Sequence, residues 1–269
     1  MKRLVLAFVL VPALAAAQQA PQQKPFEPTI GQAGKDVVWV PTPLELVEKM
    51  LDMAKVTPSD LVMDLGSGDG RNIIGAAKRG ARAIGVEFNP DMVALSRRLA
   101  QEAGVADKAT FIEGDMYTAD ISKASVMALF LLPVNLDKLR DKFLALKPGS
   151  RIVVNTFGID GWEPEVTEKI EGTCASWCTA MLYIVPAKVA GTWRSAQGSM
   201  ALDQQFQVVS GTVNVGVQPA TISNGKLHGD QITFTAGGSE YSGKVSGDRI
   251  EGTKTTNGKK ESWSASRGQ

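Results

Sequence analysis

The stretch Asp64-Leu65-Gly66-Ser67-Gly68-Asp69-Gly70 is a glycine-rich turn at the end of an apolar run. The run at 61–64 predicts a buried strand, and residues 71–79 predict a helix that ends at Gly80. A strand, a glycine turn and a helix in this order place backbone N–H groups and a helix N-terminus beside the turn, where they bind ligands. The stretch therefore predicts an α/β unit with a ligand site at residues 66–70.

The alternation of strands and helices continues on both sides of this turn. A first helix is predicted from Thr42, as its N-cap, to Lys55. Further strands are predicted at 82–87, 109–112, 125–132 and 151–157, further helices at 90–103 and 135–146, and a closing antiparallel pair at 165–170 and 179–185. Short connections between alternating elements indicate a parallel sheet with helices on both faces, which is a Rossmann-like, doubly wound α/β fold.

Composition divides the chain into four parts. Residues 1–17 combine two basic residues, an apolar run and a small-residue end, which predicts a secretory signal peptide and a periplasmic location. The alternative is an uncleaved membrane anchor, so membrane contact is expected only in that case. Residues 18–38 are expected to be a disordered spacer and residues 39–186 the α/β domain. Residues 187–269 are expected to be a small all-β barrel or sandwich, because Gly, Asn and Asp turns separate short strands there.

Charge and cysteine content narrow the function classes. Lysine and arginine total 29 against 28 aspartate and glutamate, so nothing suggests a polyanion partner and nucleic-acid binding is not expected. Cys174 and Cys178 are the only cysteines. In an oxidising compartment a local disulfide and two buried thiols both fit this spacing, and neither indicates catalysis.

The pattern of the turn indicates which ligand it binds. The glycines run G-x-G-x-G at Gly66, Gly68 and Gly70, and not G-x-G-x-x-G as in dinucleotide-binding turns. Asp64 would repel a pyrophosphate but can accept hydrogen bonds from an ammonium group. S-adenosylmethionine has an amino-acid end and no phosphate, so it fits this turn, with Ser67 among the contacts.

Side chains at the next strand ends extend the predicted site. Ligands of open α/β sheets bind beyond the carboxyl ends of the strands. Glu87 ends the second strand, where a carboxylate can accept both ribose hydroxyls, and Phe88 can pack on the adenine. Asp115 follows the third strand and can accept the adenine amino group, with Met116 as an apolar contact.

These residues carry a resemblance to a known family. Residues 64–71, DLGSGDGR, with EFNP at 87–90, look like the class I (seven-β-strand) S-adenosylmethionine-dependent methyltransferases. With VPTP at 40–43, they resemble the protein-lysine methyltransferase family that includes mitochondrial enzymes acting on ATP synthase c-subunit and adenine nucleotide translocase. The resemblance implies cofactor contacts at the strand-end carboxylates and a segment at 39–42 that folds over the cofactor. Those relatives are typically membrane-anchored and lack a second β domain.

The sequence defines less well which residues bind the methyl acceptor. The candidates are Leu132, Pro133 and Asn135 after the fourth strand, Trp39 before the first helix, and Trp162 after the fifth strand, and each fits core or lid packing equally well. No metal is expected, because residues 131–135 carry no carboxylate. The single histidine, His228, is expected at the surface, and no residue is assigned a catalytic role.

The resemblance implies an S-adenosylmethionine-dependent enzyme that methylates protein lysine. Two alternatives stay open at this point. One is a methyltransferase that acts on a small molecule such as an amine. The other is an exported, non-catalytic binding protein on a methyltransferase scaffold, in which the β domain binds a ligand or a protein.

Overall fold

A computed structural model describes residues 26–172, 174–214 and 218–268. Within these ranges the chain forms two units. The elements of the first unit are α1 (Leu44–Met53), β1 (Leu61–Leu65), α2 (Arg71–Lys78), β2 (Arg82–Glu87), α3 (Pro90–Glu102), β3 (Ala109–Glu113), β4 (Val126–Leu129), α4 (Pro133–Leu144), β5 (Arg151–Asn155), β6 (Val166–Lys169) and β7 (Thr179–Ile184).

The first unit is one seven-stranded sheet in the order β3-β2-β1-β4-β5-β7-β6. Strands β1 to β5 are parallel, and β7 runs antiparallel between β5 and β6. Every residue of β4 is buried, as expected for the centre of a sheet covered on both faces. The predicted Rossmann-like fold and its closing antiparallel pair are confirmed. The carboxyl ends of the five parallel strands therefore meet at one edge.

Two helix starts differ from the prediction. Pro43, and not Thr42, is the N-cap of α1, because Thr42 is buried and its hydroxyl accepts a hydrogen bond from the Asn155 amide at 3.3 Å. Helix α4 starts at Pro133, two residues earlier than predicted, because proline fits the first helical position after the extended residue Leu132. By contrast, Asn89 caps α3 as predicted, since its side chain accepts the N–H of Asp91 at 2.9 Å.

The described part of the expected spacer is hydrogen-bonded to itself. Gly31 N–H donates to the carbonyl of Trp39 at 2.9 Å, and Trp39 N–H donates to the carbonyl of Gln32 at 2.8 Å. An isolated antiparallel bridge joins Ala33 and Val38. The turn forms because Gly31 adopts φ +84°, a left-handed conformation that glycine allows. Residues 26–38 thus differ from a disordered spacer, and the predicted signal peptide at 1–17 lies outside the described residues.

The second unit is an antiparallel β-barrel, so the sandwich alternative is wrong. Eight strands form a ring in the order β10-β12-β13-β14-β15-β16-β8-β9, and the pairing of β9 with β10 closes it. The strands of the ring are β8 (Gly191–Ser195), β9 (Gly198–Gln205), β10 (Val208–Asn214), β12 (Ser223–His228), β13 (Gln231–Ala236), β14 (Ser239–Ser246), β15 (Arg249–Thr256) and β16 (Lys259–Arg267). A ninth, short strand, β11 (Ala220–Thr221), pairs with β10.

Aromatic side chains fill the centre of the barrel. Along β14 buried and exposed residues alternate strictly, as a strand with one face in a core requires. The rings of Phe234 and Tyr241 stack with centroids 4.6 Å apart, Trp263 packs edge-on against both, and Trp193 is fully buried. His228, with two thirds of its side chain exposed, lies on the outer surface as predicted.

The barrel packs directly against the α/β unit. The ring of Trp162 stacks on that of Phe206 with centroids 5.4 Å apart, and the Gln207 amide donates to the carbonyl of Glu163 at 2.8 Å. Lys226 forms an ion pair with Glu165 at 2.8 Å. These contacts join the loop between β5 and β6 to the barrel. Across the described ranges no helix has the length and apolar content that crossing a bilayer requires.

Candidate cofactor-binding site

The glycine turn joins β1 to α2 at the edge where the parallel strands end. Gly66, Gly68 and Gly70 have φ of +71°, +55° and +81°, a left-handed conformation that L side chains rarely adopt. A Cβ atom on Gly68 would lie 2.8 Å from Nε1 of Trp39, and one on Gly70 would lie 2.5 Å from the ring of Phe111. Glycine is therefore favoured at Gly68 and Gly70 both by conformation and by close approach, and at Gly66 by conformation.

Asp64 is a buried carboxyl group directly before this turn. Its Oδ2 accepts a hydrogen bond from the Asn72 amide at 3.0 Å, while Oδ1 has no partner among the described residues. Burial raises the pKa of Asp64 well above its usual value; the Asn72 hydrogen bond opposes this shift, and the negative charges of Glu87 and Asp69 add to it. A cationic ligand group beside Oδ1 would satisfy the carboxylate.

Glu87, at the end of β2, is held against the turn by two backbone hydrogen bonds. Gly68 N–H donates to its Oε2 at 3.0 Å, and Asn89 N–H donates to its Oε1 at 2.9 Å. Each carboxylate oxygen keeps a free lone pair after these bonds. The carboxylate can therefore accept two hydroxyl groups of a ligand in a fixed orientation.

One cavity brings part of the predicted site together. The predicted residues that line it are Asp64, Gly66, Ser67, Gly68, Glu87 and Trp39. Its opposite wall is the segment 32–34 with 37–42, and Phe130 forms part of its lining. The hydroxyl of Ser67 is buried and has no partner among the described residues. Two residues with unpartnered polar atoms, Asp64 and Ser67, thus line the same cavity as the glycine turn.

Four predicted contacts lie outside this lining: Gly70, Phe88, Asp115 and Met116. Asp115 is ion-paired with Lys35 and accepts the N–H of Tyr117 at 2.8 Å, and the hydrogen bond from Lys35 holds the pKa of Asp115 below its usual value. The same ammonium group lies 5.0 Å from the ring centre of Phe88, which is half exposed. Met116 is buried in the core of the sheet. Lys35 therefore bridges the two predicted adenine contacts that remain accessible.

The structure also includes residues that the sequence reasoning missed. Asn72, in the first turn of α2, orients Asp64. The sequence pattern that could have identified it is a polar residue on the buried face of that helix. Arg71 donates to the carbonyl of Thr42 at 2.6 Å and, through Nε, to Asp69 at 2.9 Å, so it ties the turn to the segment that covers it. Phe130 follows β4 directly, at a strand end where ligands are expected.

The predicted acceptor residues separate into three places, of which the cofactor cavity holds Trp39. Leu132 and Pro133 are exposed at the start of α4, and Asn135 is buried behind them, where its Oδ1 accepts the hydroxyl of Tyr117 at 2.9 Å. Trp162 does not line the cavity, because it is buried between Tyr183 and the barrel. In the described ranges no three His, Cys, Asp or Glu side chains are grouped to hold a metal ion.

Comparison with known proteins agrees with this geometry. Residues 64–166 match the model of the ANTKMT methyltransferase domain. A protein-lysine N-methyltransferase of Saccharolobus islandicus is 40% identical over 152 residues, which are 55% of this chain and 94% of that enzyme. The adenine nucleotide translocase lysine N-methyltransferase of Mus musculus is 36% identical over 133 residues, which are 49% of this chain and 57% of that enzyme.

A solved structure supports the same class. The crystal structure of an RNA methyltransferase from Salinibacter ruber in complex with S-adenosyl-L-homocysteine is 43% identical, with a TM-score of 0.52 over 56% of this chain and 96% of that chain. The fold, the glycine turn and the strand-end carboxylates thus define a class I S-adenosylmethionine-dependent methyltransferase. The chain belongs to the ANTKMT methyltransferase family within that class.

The site fits the cofactor of this family, S-adenosyl-L-methionine. The orphaned Oδ1 of Asp64 suits its ammonium group, and the fixed carboxylate of Glu87 suits the two ribose hydroxyls. The bare backbone at Gly68 lets the Trp39 ring, which lines the same cavity, pack directly on the turn. The enzyme class and the cofactor predicted from the sequence are therefore confirmed.

Proposed function

We propose that this enzyme transfers the methyl group of S-adenosylmethionine to the side-chain amine of a lysine in a protein. The observation that carries the proposal is the 40% identity to a protein-lysine N-methyltransferase over nearly all of that enzyme. The adenine nucleotide translocase lysine N-methyltransferase of Mus musculus supports the same acceptor class.

The residues of the cavity have tasks that suit this reaction. When bound, S-adenosylmethionine supplies an already activated methyl group, so the protein has to align donor and acceptor and exclude water. We propose that Asp64 holds the amino-acid end of the cofactor, that Glu87 holds its ribose and that Trp39 covers it. A lysine amine that has lost its proton to solvent attacks the methyl carbon directly, and this chemistry requires no general base. The cavity lining accordingly contains binding groups and the aromatic rings of Trp39 and Phe130.

A second candidate acceptor is RNA, because the Salinibacter ruber structure is described as an RNA methyltransferase. The charge of this chain favours protein over RNA: with 29 basic and 28 acidic residues, its excess of one basic side chain is small for an enzyme that contacts many phosphates. Small amines are a third class. The three acceptors differ in the product, which makes them separable by experiment.

The test uses the full chain with S-adenosylmethionine labelled in its methyl group. Separate reactions receive bacterial protein extract, lysine-containing peptides, total RNA, and small amines including free lysine. We expect label in protein and, after acid hydrolysis, in methyllysine. Label in RNA or small amines with none in protein would overturn the proposal. Cofactor binding without transfer to any acceptor would instead favour a non-catalytic binding protein.

Glu87→Gln is the matched site variant for these reactions, and Glu113→Gln is its control. Glu113 pairs with Glu87 in the register of β3 and β2 but is exposed and outside the cavity. We expect Glu87→Gln to weaken cofactor binding at least about 10-fold, the effect of roughly 1.4 kcal/mol. Glu113→Gln is expected to behave like the unaltered enzyme.

We also propose that the enzyme is exported after cleavage of residues 1–17. The basic start, apolar run and small residues of that segment support export. The disulfide between Cys174 and Cys178 also supports an oxidising compartment. Mass spectrometry of the protein from periplasmic extract is expected to find a mature N-terminus at Gln18. A chain that retains Met1 and stays in the cytoplasmic fraction would contradict export.

A further inference from the structure

Three aromatic rings form a continuous group beside the cofactor cavity; we call Phe130, Phe157 and Trp177 the aromatic wall. The ring centroids are 6.2 Å apart for Phe130 and Phe157, 5.8 Å for Phe130 and Trp177, and 5.5 Å for Phe157 and Trp177. Phe130 follows β4, and Phe157 lies two residues after β5. The wall thus stands at the carboxyl ends of two neighbouring parallel strands.

The wall connects the cofactor cavity with the protein surface. Phe130, at its inner end, lines the cavity with Asp64 and Gly66. Trp177, at its outer end, is 40% exposed, whereas Trp162 and Trp193 are buried in cores. Trp177 is packed on one side and open to solvent on the other, which is unusual for a core residue. Its open side can contact a ligand. An acceptor side chain lying along the wall would reach the cofactor cavity at Phe130.

The chemistry of the wall matches a lysine side chain. The faces of aromatic rings attract an ammonium group, and tryptophan does so most strongly. The apolar ring surface also suits the four-carbon stem of lysine, which packs on such surfaces while its charged end stays in a polar environment. The wall therefore offers both contacts that a lysine needs before its amine loses the proton.

The Cys174–Cys178 disulfide holds the outer ring of the wall. Trp177 lies inside the five-residue loop that this bond closes, and Cys178 is buried directly before β7. Trp177 itself adopts φ +61°, a left-handed conformation that costs a bulky residue about 1 kcal/mol or more. The bond therefore restrains the short backbone segment that carries the Trp177 ring.

We propose that the aromatic wall is the binding surface for the acceptor lysine and that the disulfide sets its geometry by fixing Trp177. This inference rests on the proposed function, because it places the lysine acceptor at a defined surface. It assigns Trp177 a role in acceptor binding and none in cofactor binding. It also makes acceptor affinity depend on the redox state of one bond that lies outside the cofactor cavity.

The first test measures steady-state kinetics of the full chain with a lysine peptide and, separately, cofactor affinity by calorimetry. We expect Trp177→Ala to raise KM for the peptide at least 10-fold and to leave the cofactor Kd within twofold. Trp177→Phe is expected to recover most of the loss, since an aromatic face remains. Val208→Ala, which alters an exposed residue of the barrel, is the control and is expected to match the unaltered enzyme.

The second test addresses the disulfide. Dithiothreitol converts the bond to two thiols and is itself oxidised to a cyclic disulfide. We expect reduction to raise KM for the peptide, and the Cys174→Ser, Cys178→Ser double variant to show the same KM with and without the reagent. A reagent effect of equal size in the double variant would show that another site responds, and the disulfide part of the proposal would fail.

Two results would overturn the wall as the acceptor surface. One is an unchanged KM for the acceptor in Trp177→Ala with normal cofactor binding. The other is a parallel loss of cofactor affinity, which would make the wall a support of the cofactor cavity. If the enzyme methylates small amines and no protein, the proposed function fails, and the same comparison of variants with the amine still tests the wall.

Discussion

Substitution of Gly68 by alanine is the sharpest probe of the cofactor cavity. The residue has φ +55°, so an alanine there is strained by about 1 kcal/mol. In addition, its Cβ would lie 2.8 Å from Nε1 and 2.9 Å from Cδ1 of Trp39, closer than ordinary van der Waals contact. The ring or the turn has to move, and because both line the cofactor cavity, the shape of the cavity changes. We expect the Kd for S-adenosylmethionine to rise at least about 10-fold, equivalent to 1.4 kcal/mol.

Gly104→Ala is the matched control for this substitution. Gly104 has φ +68° but no atom within 4 Å of a Cβ built on it, so alanine adds the strain without the contact. We expect Gly104→Ala to lower the free energy of unfolding by about 1 kcal/mol with an unchanged cofactor Kd. Calorimetric titration gives the Kd, and urea unfolding gives the stability of each variant.

The comparison has two outcomes that would refute the reasoning. A cofactor Kd within twofold of the unaltered enzyme in Gly68→Ala would show that the turn does not approach the ligand. An equal loss of affinity in Gly104→Ala would show that general backbone strain, and not the position of Gly68, weakens binding. Replacing Trp39 by alanine in the Gly68→Ala variant then measures how much of the penalty comes from the ring.

Two further predictions concern charged groups. Arg151 is ion-paired with the buried Asp60. We expect Arg151→Met to lower the free energy of unfolding by about 3 kcal/mol at pH 7 and to leave cofactor binding unchanged. Because the fold lowers the pKa of Asp60, the loss of stability in Arg151→Met should shrink as the pH falls below about 4 and Asp60 becomes protonated. Urea unfolding of both proteins measures this. A stability difference that stays constant with pH would contradict the role of the Asp60–Arg151 ion pair. Burial raises the pKa of Asp64, so pairing with the cofactor ammonium should release a proton and tighten binding as pH rises, whereas Asp64→Asn should bind weakly without that dependence. Calorimetry in two buffers of different ionisation enthalpy checks this, and equal apparent enthalpies in both would count against it.

The elements that the sequence predicted well are those governed by local patterns. The strand, glycine turn and helix at 61–79 depend on apolar runs and on glycines with positive φ, and both are local properties. The same holds for Asn89 as the N-cap of α3, and for the alternation of β14 inside the barrel. The strand-end positions of Asp64 and Glu87 followed directly from this pattern.

The structure differs from the sequence predictions where a side chain contacts a residue that is distant in the chain. Thr42 has the residue type of an N-cap, but its hydroxyl pairs with Asn155, more than one hundred residues away. Lys35 pairs with Asp115, which lies 80 residues further along the chain, although composition alone predicts a spacer for the segment of Lys35. Trp162 packs on Phe206 of the barrel, so a contact between the two units decided its role. Aromatic rings brought together from three loops, as in the aromatic wall, are equally invisible to local patterns.

The ring of the barrel has a consequence for its resistance to aggregation. Its first strand, β8, and its last, β16, are neighbours in the ring, where Trp193 pairs with Arg267. A closed ring exposes no strand edge on which another chain could add. Deleting the final strand would open the ring beside β8 and β15 and leave two unpaired edges, together with the apolar surface around Trp193. The nine residues of β16 therefore protect the barrel, and not the open seven-stranded sheet, from edge-to-edge association with other copies.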